Sequence, residues 1–178
     1  MRLRKAGCKL KKEAPTGYRR GFSYDFGSQA AYVAVDEKTG EVEVLKVIAV
    51  HDVGKTINLL GVKGQIEGGV VMGMGYALSE EYIFDERGVV TKTMKSIGVP
   101  TIEKAPIIEV GIIENSMAEG PYGAKGIGEI TMIPTTPAII NAIYDAVGVR
   151  ITSLPAKPDK ILHALQNKHT LVEKKESI

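Results

Sequence analysis

The sequence has few of the residues from which many functional sites are built. It contains one cysteine, Cys8, no tryptophan and only 3 phenylalanines among 178 residues. A single cysteine excludes an internal disulfide framework, a four-cysteine zinc site and an iron–sulfur cluster held by this chain alone. Lys and Arg total 23 and Asp and Glu 21, so the net charge is only +2. Because nucleic-acid-binding proteins usually carry a stronger basic excess, we expect no nucleic-acid partner.

Long apolar runs are also missing. No run approaches the roughly 20 residues that cross a bilayer, and no apolar segment follows the basic N-terminal residues, as it would in a secretory signal. We therefore expect no membrane association and a cytoplasmic location. Hydrophobic residues make up 44% of the chain and charged residues 25%, which is typical of a globular domain, or of one large piece of a bigger domain.

Hydrophobic patterning predicts strands paired locally as hairpins together with a few helices. We expect strands over 30–35 and 41–50 joined by a loop over 36–40, and a further strand over 107–113. Helices are expected over 62–83, from near Pro134 and Pro137 to an end at Gly148, and, as a last short helix, over 158–166. A glycine-rich loop is expected over 120–129. This pattern predicts an α+β fold with a mixed or antiparallel sheet. The expected segments are a basic leader (1–21), a partial domain (22–166) and a polar tail (167–178).

The helix predicted over 62–83 contains an unusual number of glycines. Gly68, Gly69, Gly73 and Gly75 each cost about 1 kcal/mol relative to alanine in a helix interior. Close approach of another backbone or of a ligand is the usual reason for such glycines. Tight packing of the helix against a sheet would explain them equally well.

The segment 49–56 ends in Gly54-Lys55-Thr56, like a phosphate-binding P-loop. It lacks the early glycine that such a loop needs to turn its N–H groups toward phosphate, and Asp52 would repel phosphate. The alternative is a loop that leaves a strand, in which the Asp52 side chain bonds neighbouring backbone. His51 next to Asp52 fits a structural role better than a catalytic one.

The richest candidate is Gly123-Ala124-Lys125-Gly126-Ile127-Gly128-Glu129. Its three glycines let backbone approach a ligand closely and present N–H groups to an anionic oxygen, near the charge of Lys125. Glu129 precedes apolar residues, and a carboxylate in an apolar setting has a raised pKa and can act as a general base. The alternative is a turn-rich loop with Glu129 near a helix N-terminus. Upstream, Gln65 offers a donor and an acceptor suited to the edge of a heterocycle, or is simply a surface residue of a helix.

Taken together, these segments resemble the C-terminal part of the molybdenum-cofactor-binding subunit of the xanthine dehydrogenase/aldehyde oxidase family. The matching stretches are 24–47, 51–58, 64–81, 99–110, 120–129 and 134–165, in the family's order and spacing. The resemblance implies hydroxylation of an aldehyde or an N-heterocycle with oxygen from water, at molybdenum carried by a pterin. No metal ligand from this chain is therefore expected.

The resemblance also implies roles for individual residues. Glu129 corresponds to the family's general base, and Gln65 to a glutamine that contacts the pterin. Gly126, Ile127 and Gly128 correspond to a loop beside the cofactor, and Lys125 either joins them or only orders the turn.

This chain departs from the family in length and in one turn. The family's molybdenum-binding subunit is several times longer, and its upstream cofactor loops and substrate-pocket residues are missing here. The resemblance therefore implies a larger chain that shares the molybdopterin, with iron–sulfur clusters and FAD on other subunits. The usual Gly-Glu-Pro-Pro is Gly128-Glu129-Ile130-Thr131 here, which predicts a looser turn after the base. Two alternatives are a non-catalytic remnant or assembly module that binds a larger partner, and a phosphate-binding NTPase.

Overall fold

The computed structural model describes residues 24–118 and 120–176, with side chains described up to Lys168. The leader predicted over 1–21 lies outside these residues. None of the helices in the two described stretches combines the length and the apolar character needed to cross a bilayer.

Strands and helices are interspersed along the chain. In order they are β1 (Gly27–Val35), β2 (Val42–Asp52), α1 (Leu59–Leu78), β3 (Phe84–Asp85), β4 (Gly88–Val89), α2 (Met94–Ile97), β5 (Ile107–Ile113), α3 (Thr135–Val147) and α4 (Pro158–Glu176). Three-residue 3₁₀ turns lie at Ile102–Lys104, Pro121–Gly123 and Glu129–Thr131.

A three-stranded sheet in the order β1-β2-β5 positions the rest of the molecule. β1 and β2 form the predicted antiparallel hairpin, in which Asp36 accepts the N–H of Lys38 and Gly40 has a φ of 75°. β5 pairs with β2 in parallel, so that Lys46 lies opposite Ile107. Parallel neighbours need a crossover connection, and the chain between them contains α1. The predicted α+β class with a mixed sheet is confirmed.

The core lies between the sheet and the helices. Its fully buried side chains come from β2, α1, α3 and α4: Val47, Ala49, Ile66, Val70, Ile139, Ile143 and Ile161. α3 packs against β1 and against α1. β1 turns one face inward, since Ala31, Val33 and Val35 pack on this core, as the period of two requires.

Two helix boundaries differ from the sequence prediction. α1 begins at Leu59, capped by the side chain of Asn58, and ends at Leu78 rather than 83. It ends there because the backbone of Ser79 leaves the helical conformation, and the Ser79 hydroxyl donates to the carbonyl of Gly98 at 2.6 Å. α4 continues to Glu176 instead of ending at 166, because its Lys- and Glu-rich end has high helix propensity.

Candidate functional site

The glycine-rich loop is held against the end of β2 by backbone contacts. Lys55 N donates to Gly123 O at 2.8 Å and Lys125 N donates to Val53 O at 3.0 Å, on either side of a Gly54–Ala124 bridge. Gly54 has a φ of 62°, and a Cβ there would lie 2.3 Å from the Gly123 oxygen. Only glycine therefore permits this approach.

A buried ion pair reinforces the same junction. Lys125 Nζ lies 2.6 Å from Asp52 Oδ2, and each side chain is only 6% exposed. Asp52 Oδ1 accepts the N–H groups of Gly54 and Asn115 at 3.0 and 3.2 Å. Burial by itself raises the pKa of Asp52, but the hydrogen bond from Lys125, the two backbone N–H groups and the charge of Lys125 outweigh it and hold the pKa below its usual value of 3.8. The two charges thereby fix the path of the loop.

This geometry decides the role of Asp52 and of the segment that resembles a P-loop. Asp52 bonds neighbouring backbone, as the alternative interpretation predicted. The Lys55 ammonium lies 3.4 Å from Glu114 Oε2, and the N–H of Thr56 donates to Glu114 Oε1 at 2.7 Å. Both groups that would bind phosphate face a carboxylate instead, which argues against the NTPase alternative.

Glu129 begins the 3₁₀ turn that leads from the loop toward α3. Met132 N donates to Glu129 O at 3.1 Å, and Thr131 Oγ1 donates to Gly128 O at 2.8 Å. The Glu129 side chain is exposed, so the apolar setting predicted for its carboxylate is not provided by this chain. The location at the start of a helical turn agrees with the alternative interpretation of Glu129.

A buried polar network lies directly beneath this turn, and the sequence analysis did not predict it. Gln29 Nε2 donates to Thr131 O at 2.7 Å, and Thr135 Oγ1 donates to Gln29 Oε1 at 2.6 Å. The Nε2 atoms of Gln29 and His51 are 3.1 Å apart. His51 is fully buried, and its burial lowers the pKa of its ring from 6.5. His51 thus contacts Gln29 rather than pairing with Asp52, which confirms its structural role.

A sequence signal for Gln29 does exist. Gln29 occupies the same face of β1 as Ala31, Val33 and Val35, which all turn toward the core. A polar residue in an inward-facing series needs a buried hydrogen-bonding partner. The strand predicted over 30–35 begins one residue too late to include it.

Four glycines of α1 differ in what surrounds them. A Cβ on Gly69 would lie 2.0 Å from Thr131 Oγ1, and one on Gly73 would lie 2.6 Å from Thr135 Cβ. These two glycines therefore allow α1 to approach the backbone of the turn and the start of α3 closely, which is the first of the two explanations given for them, and not packing against the sheet. A Cβ on Gly64 or Gly68 would meet nothing within 4 Å, so no contact in the described structure explains them.

Gln65 lies one helical turn before Gly69, and its side chain is exposed. Residues four apart share a helix face, and α1, which carries Gln65 and Gly69, contacts the Glu129–Thr131 turn. Gly128 and Glu129 are exposed beside this contact and define one flank of the fold. Lys125 differs from them, since its ammonium is buried against Asp52.

This flank has backbone that is open to a ligand. A Cβ on Gly128 would meet nothing within 4 Å, and one on Gly126 would meet only Asp25 Oδ2 at 3.9 Å. Within the described residues, the N–H groups of Gly126, Ile127 and Gly128 donate to no backbone or side-chain acceptor. Consecutive free N–H groups beside bare glycine backbone can bind an anionic oxygen. In the part of the chain that the structure describes, no three His, Cys, Asp or Glu side chains converge as a metal site.

Comparison with known proteins shows the family to which this chain is similar. Residues 5–106 match a family model described as "Molybdopterin cofactor-binding domain". The chain is 36% identical over 147 residues to a probable xanthine dehydrogenase subunit of Bacillus subtilis, covering 83% of this chain and 20% of that protein. It is 38% identical over 156 residues to the aldehyde oxidoreductase of Megalodesulfovibrio gigas, covering 86% and 17%.

The fold is similar to a solved structure of the same kind. The aldehyde oxidoreductase of Desulfovibrio desulfuricans superposes with a TM-score of 0.74 at 42% identity, over 79% of this chain and 15% of that one. The chain thus spans about one fifth or less of the relatives that it matches.

Proposed function

This chain belongs to the molybdopterin cofactor-binding domain family of the molybdenum hydroxylases, and from that premise we propose that it forms one wall of a molybdopterin site and supplies Glu129 as the general base. The reaction class is hydroxylation of an aldehyde or an N-heterocycle with oxygen from water. The observation that carries the proposal is the exposed Glu129, which directly follows the open backbone of Gly128.

The residues of this flank fit an anionic pterin cofactor. The free N–H groups of Gly126, Ile127 and Gly128 would donate to its oxygen atoms, and the amide of Gln65 would pair with the polar edge of its ring. When bound, the cofactor supplies the molybdenum centre that accepts the electron pair removed from the substrate carbon. The assignment of Lys125 to the cofactor stays a prediction, and its buried pairing with Asp52 supports the role of ordering the loop.

Glu129 would take up the proton that is released when the oxygen of water is activated for attack on the substrate carbon. Its exposure in this chain leaves its carboxylate accessible to a substrate. The apolar surroundings that tune a general base would then come from outside this chain, when the site closes and water is excluded.

The proposal requires a larger chain that completes the site, with iron–sulfur clusters and FAD on other subunits to carry electrons away. Large apolar side chains are exposed over the described residues, among them Leu60 at 82%, Ile102 at 88% and Tyr122 at 90%. Exposed large apolar side chains in this number favour a surface that another chain covers. The names of the relatives, xanthine dehydrogenase and aldehyde oxidoreductase, support a purine-like heterocycle or an aldehyde as substrate.

The decisive experiment replaces Glu129 with Gln in the assembled enzyme. We expect turnover to fall about 10²–10⁴-fold, which is the usual contribution of a general base, while the molybdenum content stays unchanged. Glu103→Gln is a matched control, because Glu103 is also an exposed glutamate in a three-residue 3₁₀ turn. It should retain full turnover.

Two results would contradict the proposal. Unchanged turnover in Glu129→Gln would remove Glu129 from the chemistry. Absence of both molybdenum and a partner chain from the natively purified protein would instead support a non-catalytic remnant.

A further inference from the structure

We propose that Gln29 is a positioning residue for Glu129, acting through Thr131, with His51 orienting its amide. The proposal rests on the proposed role of Glu129. In the family that the sequence resembles, two prolines follow the glutamate and make the turn rigid. Here Ile130 and Thr131 stand in their place, so other contacts have to hold the turn.

The turn that carries Glu129 needs support from elsewhere. On its outer side, Gly128 has no neighbouring atom within 4 Å of the position of a Cβ. On its inner side, Thr131 is 1% exposed and forms two close links, besides a longer hydrogen bond of 3.4 Å that its carbonyl accepts from Thr135 Oγ1. Its hydroxyl donates to Gly128 O at 2.8 Å, and its carbonyl accepts from Gln29 Nε2 at 2.7 Å. The first link closes the turn, and the second ties it to β1.

The amide of Gln29 can point in only one direction. Its Nε2 must face the carbonyl of Thr131, because a carbonyl oxygen accepts and cannot donate. Its Oε1 then accepts the hydroxyl of Thr135 at 2.6 Å. The second N–H of the amide is directed at His51 Nε2, 3.1 Å away. This contact requires a neutral ring that carries its proton on Nδ1, an atom without a hydrogen-bond partner among the described residues, and the burial of His51 favours the neutral form by lowering its pKa.

The side chain of Gln29 thus joins its own strand to three other parts of the fold. Gln29 lies on β1, His51 on β2, Thr131 in the turn and Thr135 at the start of α3. Thr135 is fully buried, Thr131 nearly so and Gln29 half-buried, so water competes little at the Thr131 and Thr135 ends of these hydrogen bonds. Glu129 is two residues from Thr131, and a displacement of the turn would move its carboxylate away from the reacting atoms. A misplacement of about 1 Å costs up to about 10²-fold in rate.

The test uses three variants in the assembled enzyme. Gln29→Met removes the amide, Thr131→Val removes the hydroxyl that bonds Gly128 O, and Thr131→Ser keeps that hydroxyl. We expect kcat to fall about 10- to 100-fold in Gln29→Met and Thr131→Val, with little change in KM or in molybdenum content. Thr131→Ser should restore most of kcat. Thr136→Val is the control, because the Thr136 hydroxyl donates to Gly73 O at 3.0 Å and links α3 to α1 without touching the turn. Its kcat should change less than twofold.

A second measurement does not depend on turnover. Hydrogen exchange of a peptide spanning 126–133 reports the opening of the turn, since Met132 N is bonded to Glu129 O. We expect faster exchange in Gln29→Met and Thr131→Val than in Thr136→Val, whether or not cofactor is loaded. A Gln29→Met variant with parental exchange and parental kcat would overturn the proposal.

The two proposals fail in different ways. Full turnover in Glu129→Gln would refute the general base, whatever the behaviour of Gln29. Loss of turnover in Glu129→Gln combined with parental kcat in Gln29→Met and Thr131→Val would refute only the positioning role. If Gln29→Met does not fold, Thr135→Val takes its place, because the Thr135 hydroxyl donates to Gln29 Oε1, and parental kcat together with parental exchange in Thr135→Val would overturn the proposal.

Discussion

Replacing Lys125 with Met should destabilise the fold by leaving a buried carboxylate without its counter-charge. Lys125 Nζ lies 2.6 Å from Asp52 Oδ2 and both side chains are 6% exposed. Removing one partner of a buried pair costs about 3–5 kcal/mol. Asp52 keeps two backbone N–H donors, so we expect a loss near the lower limit, about 3 kcal/mol. For a chain of this size that lowers the melting temperature by roughly 6–12 °C.

The same substitution at a neighbouring lysine provides the control. Lys55 pairs with Glu114 at 3.4 Å, and the two side chains are 54% and 41% exposed. Exposed pairs contribute about 0–1 kcal/mol, so Lys55→Met should change the free energy of unfolding by no more than that. Urea unfolding of the purified chain, followed by circular dichroism, measures both variants against the parent.

The pH dependence of the stability loss in Lys125→Met shows whether that loss comes from an unpaired charge on Asp52 or from lost packing of the lysine side chain. In the parent the pKa of Asp52 lies below 3.8, so its contribution to stability is present above pH 3.8 and is lost as pH falls from that value through the lower pKa of the folded chain. Without Lys125, burial raises the pKa of Asp52 with less to oppose it, so the carboxyl can protonate at higher pH. The difference in unfolding free energy between parent and Lys125→Met should therefore shrink on acidification from pH 7 toward 4.

Two results would refute this reasoning. One is a Lys125→Met cost no larger than that of Lys55→Met. The other is a cost that does not change with pH. The double variant Asp52→Asn/Lys125→Met should be more stable than Lys125→Met alone, because no uncompensated charge stays buried.

Two further predictions concern packing and the buried histidine. Gly69→Ala should lower the free energy of unfolding by about 1–3 kcal/mol, because its Cβ would lie 2.0 Å from Thr131 Oγ1. Gly68→Ala should raise it by up to about 1 kcal/mol, since the Cβ of this variant would meet no atom within 4 Å. Urea unfolding distinguishes the two variants, and equal effects would contradict the packing of α1 against the turn. The pKa of His51 is lowered from 6.5 by burial, so the unfolded chain takes up a proton first and stability should fall as pH drops below about 6.5. His51→Gln should flatten that part of the stability profile, and an unchanged slope would show that His51 does not titrate on unfolding.

The local elements could be predicted from the sequence because their signals are local. The turn over Asp36–Gly40 and the apolar pattern around it predict a hairpin, and β5 has the predicted bounds, Ile107–Ile113. The predicted end of α1 is wrong, because the tie between Ser79 and Gly98 involves residues far apart in sequence. The parallel pairing of β2 with β5 is equally non-local.

The sequence by itself determined the fold class, the family and the list of candidate site residues, because residue types and their spacing carry that information. Only the tertiary structure decided what those residues contact. It turns Lys125 inward to Asp52, pairs Lys55 with Glu114, and brings Gln29 and Thr131 together from positions 102 residues apart. A hydrogen bond depends on distance and direction in space, and neither follows from the order of residues along a chain.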